Sequence, residues 1–195
     1  MNPELTGEAL VQLVHRYYPA GLDNDDPRYK KSEEGQRLQA LIDAQMREAP
    51  LAWKDFIQRL EVEFADCNIW DATMAWHDPC FNARVSNPGF VTGDLVYHEV
   101  VCLLSTLAPV YALYASHVDK ASQPKPTGWL RFPPFPPELQ AQEAKLAGLI
   151  ESTFGYTRLP NDILLIPVPD LVPRSANYRV GEARLIDLLF TEHRW

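Results

Sequence analysis

Leu95-Val96-Tyr97-His98-Glu99-Val100-Val101-Cys102-Leu103-Leu104 and, after a break, Val110-Tyr111-Ala112-Leu113-Tyr114-Ala115 decide how this chain folds. Both segments lie within residues 90–118. In the first, Leu95, Tyr97, Val101 and Leu103 alternate with Val96, Val100, Cys102 and Leu104. An extended segment with this pattern is apolar on both faces, as in the middle of a covered sheet. Thr106-Leu107-Ala108-Pro109 interrupts the run, and the second segment resumes with a strand-rich composition. The pattern predicts a long antiparallel hairpin buried on both sides.

Two other readings of this stretch are tested by length and spacing. The uncharged run over residues 100–115 is shorter than the ~20 residues of a membrane-spanning helix, and it contains Ser105, Thr106 and Pro109. His98-Glu99-Val100-Val101-Cys102 is close to the H-E-x-x-H zinc motif, with Cys in the last place. In a strand, His98 and Cys102 share a face but stand roughly 13 Å apart, too far to hold one ion. The expectation is a packed strand histidine and no metal site.

Before the hairpin, the spacing predicts three amphipathic helices. Thr6 caps the first, with Leu10, Leu13, Val14, Tyr17 and Tyr18 inward until Pro19-Ala20-Gly21 ends it; His15 lies beside this stripe with no nearby partner in sequence. Ser32 opens the second, with Glu33 and Glu34 in its first turn and Leu38, Leu41, Ile42 and Met46 inward. Pro50 begins the third, which carries Trp53, Phe56, Ile57, Leu60 and Phe64 on one face. From Cys67 the period shortens towards two, predicting a strand over residues 69–76 with Trp70, Ala72, Met74 and Trp76 on one side. His77-Asp78-Pro79-Cys80 reads as a turn, since the further ligands of an H-D metal hydrolase are missing. Phe81, Ala83 and Val85 predict a short strand, and Asn87-Pro88-Gly89 a turn into the hairpin.

After the hairpin, the polar segment from Val118 to Trp129 predicts a loop, and Trp129-Leu130-Arg131-Phe132 a short strand. Pro133-Pro134-Phe135-Pro136-Pro137 reads as a stiff lead into a helix rather than an SH3-type ligand, because Pro137-Glu138 suits a first helical turn. That helix is expected to run to Phe154, with Leu139, Leu146, Leu149 and Ile150 inward and Gly155 as its cap. Strands are expected over residues 163–166 and 184–190, the first flanked by prolines. The whole predicts one α+β domain over residues 1–195, in which three N-terminal helices and one later helix cover a mainly antiparallel sheet.

The formal net charge of −8 disfavours a nucleic-acid ligand and suits a basic protein partner. Met1-Asn2-Pro3-Glu4-Leu5-Thr6 has neither a basic leader nor an apolar core, and Cys67, Cys80 and Cys102 form no C-x-x-C, so a cytoplasmic protein with reduced thiols is expected. The acidic loop Asp23-Asn24-Asp25-Asp26-Pro27 lacks the glycine that a calcium loop places sixth, having Arg28 there. No G-x-S-x-G, P-loop or G-x-G-x-x-G occurs. Pro169-Asp170 with Glu182-Ala183-Arg184 is close to the PD-(D/E)xK nuclease pattern, but Arg184 replaces the lysine and stays protonated near neutral pH.

The same segment carries a resemblance. Pro167-Val168-Pro169-Asp170, Gly181-Glu182-Ala183, Asp187-Leu188-Leu189-Phe190 and His193-Arg194-Trp195 are similar to the C-terminal pattern of small acidic bacterial polymorphic-toxin immunity proteins, over roughly the last thirty residues. The resemblance implies a non-catalytic, cytoplasmic inhibitor that binds a cognate protein toxin, encoded next to it, without a cofactor. Such an inhibitor meets neither nucleic acid nor membrane. The expected partner-binding residues are Asp23, Asp25, Asp26, Glu33 and Glu34, an acidic surface that would be steered to a basic cleft. The alternatives are a metal-dependent hydrolase or nuclease using Asp170 and Glu182, or a structural subunit of a homo-oligomer.

Overall fold

The computed structural model describes residues 5–47, 51–74, 76–86, 96–119, 127–175 and 177–191, with side chains omitted at 46, 96–98, 117–119 and 127–129. The segments expected at residues 90–95, the turn at 87–89, Pro50, the inward Met46 side chain, most of the loop after Val118 and the terminal His193-Arg194-Trp195 lie outside what is described.

The hairpin is the centre of the sheet. Strand β3 (Val96–Ser105) pairs antiparallel with β4 (Val110–Asp119), with Val101 opposite Tyr114 and Leu103 opposite Ala112. Outward from β3 come β2 (Cys80–Ser86) and the edge strand β1 (Asn68–Asp71), both antiparallel. On the other side of β4, β5 (Thr127–Arg131) pairs antiparallel along one half, and the short β6 (Thr157–Arg158) pairs parallel along the other.

Both faces of the sheet are covered. On the first face, Val101, Leu103, Val110, Ala112 and Tyr114 pack with α1 (Gly7–Val14) through Leu10 and Val14, and with α2 (Glu33–Arg47) through Leu38 and Ile42. On the second, Val100, Cys102, Leu104, Tyr111 and Leu113 pack with Trp53, Phe56 and Leu60 of α3 (Leu51–Glu63) and Leu146 and Ile150 of α4 (Pro137–Phe154). The fold is α+β, with three N-terminal helices and a later one on a mostly antiparallel sheet. No helix among the described residues is long and apolar enough to cross a membrane.

The helix ends follow their capping chemistry. Thr6 Oγ1 accepts from Ala9 N at 3.2 Å at the start of α1. Ser32 Oγ accepts from Gly35 N at 3.0 Å ahead of α2, where a Cβ on Gly35 would come 2.2 Å from the Tyr29 carbonyl oxygen. Only glycine permits that approach. Gly155, at φ 66, ends α4 in the left-handed conformation with its N–H on the Glu151 carbonyl.

Three predicted strands come out differently. The strand expected over residues 69–76 stops at Asp71, whose Oδ1 accepts from Thr73 N at 3.1 Å and turns the chain out of the ladder. Trp76 falls beyond the strand and Trp70 stands on its edge position, and they are exposed, at 62% and 64%, instead of lining a core. The run at residues 163–166 is the end of a helical turn, α5 (Asn161–Leu164), because the Pro160 carbonyl accepts from both Ile163 N and Leu164 N. The run at residues 184–190 contains α6 (Leu185–Leu189), opened by Asp187 Oδ2 accepting from Arg184 N at 2.8 Å. A short apolar run has no period long enough to separate strand from helix, so a polar residue within it or a carbonyl before it decided each case. Among the described residues, an isolated bridge between Pro167 and Arg184 is what remains of the expected C-terminal strands.

Candidate functional site

The acidic loop is less acidic in space than in composition. Asp26 grips Arg28, with Oδ2 2.7 Å from Nη2 and the Arg28 backbone N–H on Oδ1, and these bonds hold its carboxyl down at about 2. Asp23 Oδ1 accepts from Val180 N at 3.1 Å, tying the loop to the C-terminal segment. Asp25 and Glu33 are exposed and Glu34 half-buried. Arg28, Lys30 and Lys31 interleave with these five carboxylates, so the surface presents mixed charge.

The C-terminal acids are likewise engaged. Asp170 Oδ2 lies 2.9 Å from His15 Nε2, while His15 Nδ1 faces the Val11 carbonyl oxygen at 2.8 Å. Glu182 Oε2 accepts from Arg179 N at 2.9 Å. Asp170 and Glu182 therefore serve different partners, and among the described residues no group of three or more His, Cys, Asp or Glu is placed to hold a metal ion. His77 Nδ1 lies 3.2 Å from the buried Asp78 in a turn closed by Asp78 N on the Met74 carbonyl.

His15 has an acceptor at each ring nitrogen, and both can be satisfied only by the imidazolium. Burial pulls its pKa down, but the Val11 carbonyl and the Asp170 carboxylate together raise it above the usual value. A raised folded-state pKa gives stabilisation that is complete below the unfolded pKa near 6.5 and lost as pH rises through the folded value. Wild type should therefore exceed His15→Asn in urea midpoint at pH 5.5, and the gap should close at pH 9. Because the pair is partly exposed, the gap should stay within about 1 kcal/mol. A pH-independent gap would show that the ion pair is not its source.

The most unusual polar arrangement lies on the first face of the sheet, beyond the apolar patch covered by α1 and α2. Glu99, 1% exposed in the middle of the sheet, meets Arg84 Nη1 at 2.9 Å and accepts from Ser116 Oγ at 2.7 Å. Ser86 Oγ stands 3.5 Å from its other oxygen. Asn82, two residues from Arg84 on the same face, is 4% exposed, and its Oδ1 is buried without a hydrogen-bond partner. Trp70 pairs across from Arg84 in the β1–β2 register and so shares this face. Residues 70–74 with Asn82 and Arg84 line a surface cavity of about 530 Å³. The strap over residues 71–74 is held to β2 by Ala72 N on the Asn82 carbonyl at 2.8 Å and by Asn82 N on Thr73 Oγ1 at 3.0 Å.

The reading by sequence passed over this cluster although a signal was there. Asn82, Arg84 and Ser86 alternate with Phe81, Ala83 and Val85, and a lone glutamate in a strand apolar on both faces requires a partner. No family model, no curated protein and no solved structure matches the chain.

Proposed function

We propose that this chain is a non-catalytic protein-binding inhibitor of the immunity kind, which neutralises a cognate bacterial toxin by direct contact. The observation that supports this reading is the edge strand β1, which has no strand beyond it among the described residues and carries the exposed Trp70, with the exposed Trp76 following. Large aromatic side chains left in water beside an open strand edge are suited to becoming buried anchors in a protein interface. The charge of −8 adds attraction to a basic partner. Docking therefore centres on the β1 edge, with Asp25, Glu33 and Glu34 contributing to the wider acidic field and Asp23 and Asp26 held by bonds within the chain.

Co-expression with the products of neighbouring genes, with affinity capture and a growth-rescue assay, tests the reading. The expected result is capture of a neighbour that kills when expressed alone, and rescue by this chain. Replacing both Trp70 and Trp76 by alanine should weaken capture at least about tenfold, with an unchanged circular dichroism spectrum. Failure of every neighbour to kill or be captured would overturn the proposal, as would a concentration-dependent mass showing that the β1 edge closes against a second copy.

A further inference from the structure

We infer that the cavity between α2 and the segment at residues 172–175 binds a carboxylate, held by the Arg174 guanidinium; this site is built from other residues than the β1 edge and does not rest on the inhibitor reading. Arg174 lines a cavity of about 400 Å³ together with Tyr29, Lys30 and, from α2, Gln36, Gln39 and Asp43. Among the described residues its side chain makes neither a hydrogen bond nor an ion pair, and its Nη1 is buried. A covered guanidinium nitrogen without an acceptor is costly, and an anion on the same group offsets that cost. The chain on either side of the arginine is pinned: the Val172 carbonyl accepts from Tyr29 Oη at 2.8 Å, and the Pro173 carbonyl from Ser175 N at 2.7 Å. A planar fork on a fixed backbone loses little freedom when it takes up two oxygens.

The neighbouring groups select the kind of ligand. The neutral donors are spent, with the Tyr29 hydroxyl on Val172, Gln36 Nε2 on the Lys31 carbonyl at 3.2 Å and Gln39 Nε2 on Asp43 Oδ1 at 2.7 Å. The donors left to a ligand are the cations of Arg174 and Lys30. Asp43 is exposed, so water screens its charge, whereas Arg174 is partly covered, and an anion is favoured over a cation. A carboxylate matches the guanidinium fork with two parallel bonds and one charge. A phosphate dianion would bring a second negative charge beside Asp43 and is disfavoured.

The test uses the full ¹⁵N-labelled chain titrated with sodium propionate, a free acid, and with N-acetyl-glutamate methylamide, an acidic side chain within a peptide. Propionamide and inorganic phosphate serve as controls. Saturable NMR shifts at the Arg174 Nε–H are expected with both carboxylates, at an affinity about tenfold or more above either control. Tighter binding of propionate would assign the site to a free acid, tighter binding of the glutamate compound to a protein side chain, and equal binding to the carboxylate alone. Arg174→Gln should weaken binding at least about tenfold, and Arg174→Lys, which keeps the charge and loses the fork, about threefold or more. Neither should lower the urea midpoint, because the guanidinium has no partner among the described residues to lose. No saturable shift up to about 50 mM, equal affinity for a control, or affinity unchanged in Arg174→Gln would overturn the site. Loss of folding in either variant would show that the chain itself satisfies Arg174, and would overturn it too.

Discussion

Replacing Glu99 by alanine is expected to lower folding stability by about 3–5 kcal/mol, the range for breaking one partner of a buried ion pair. Glu99 is 1% exposed, and its carboxylate is bonded to Arg84 Nη1 and Ser116 Oγ. Truncation takes the Glu99 carboxylate away from the largely covered Arg84 guanidinium and from the Ser116 hydroxyl that donates to it. Urea unfolding followed by tryptophan fluorescence measures the loss as a shift in midpoint at constant slope. Replacing both partners, as Arg84→Met with Glu99→Leu, should restore most of the lost stability, since neither charge is then stranded. A single substitution costing less than about 1 kcal/mol would show that water or a rearranged side chain meets Arg84 instead.

Phe56→Ala should have a comparable effect, about 3–5 kcal/mol, for a different reason. Phe56 is 1% exposed on α3, its ring 5.1 Å from that of Phe154 in an edge-on arrangement and 5.5 Å from that of Trp53. It joins α3 to α4 over the second face of the sheet, so its loss opens a cavity between two helices and a strand layer. Val62 on the same helix is 77% exposed, and Val62→Ala should change stability by no more than about 0.5 kcal/mol. Thermal unfolding of the two variants side by side checks the contrast, and similar losses would mean that α3 packs through another face.

The helices were legible because their signals are local. Thr6, Ser32, Pro137 and Gly155 sit at helix ends and act through bonds three or four residues away, or through their own backbone conformation. Inward positions such as Val14, Ile42, Leu60 and Leu146 repeat with the turn of the helix. The candidate site was less legible. Trp70 and Trp76 have the composition of a buried strand face, yet Trp70 stands on the edge strand and Trp76 lies past the turn at Asp71, and both are in solvent. Asp170 and Glu182 form a suggestive pair along the chain, yet Asp170 spans 155 residues to reach His15, while Glu182 turns to Arg179 beside it.

Sequence by itself therefore determined the hairpin of β3 and β4, the four long helices and the α+β class, because hydrophobic period and capping are properties of neighbouring residues. Only the tertiary structure decided that α1 and α2 cover one face and α3 and α4 the other. It also decided that the short runs at 161–164 and 185–189 are helical, that Glu99 finds Arg84, and that an edge strand is left with tryptophan in water. Those outcomes depend on which distant groups close against each other, and a short stretch of chain carries no record of its partner.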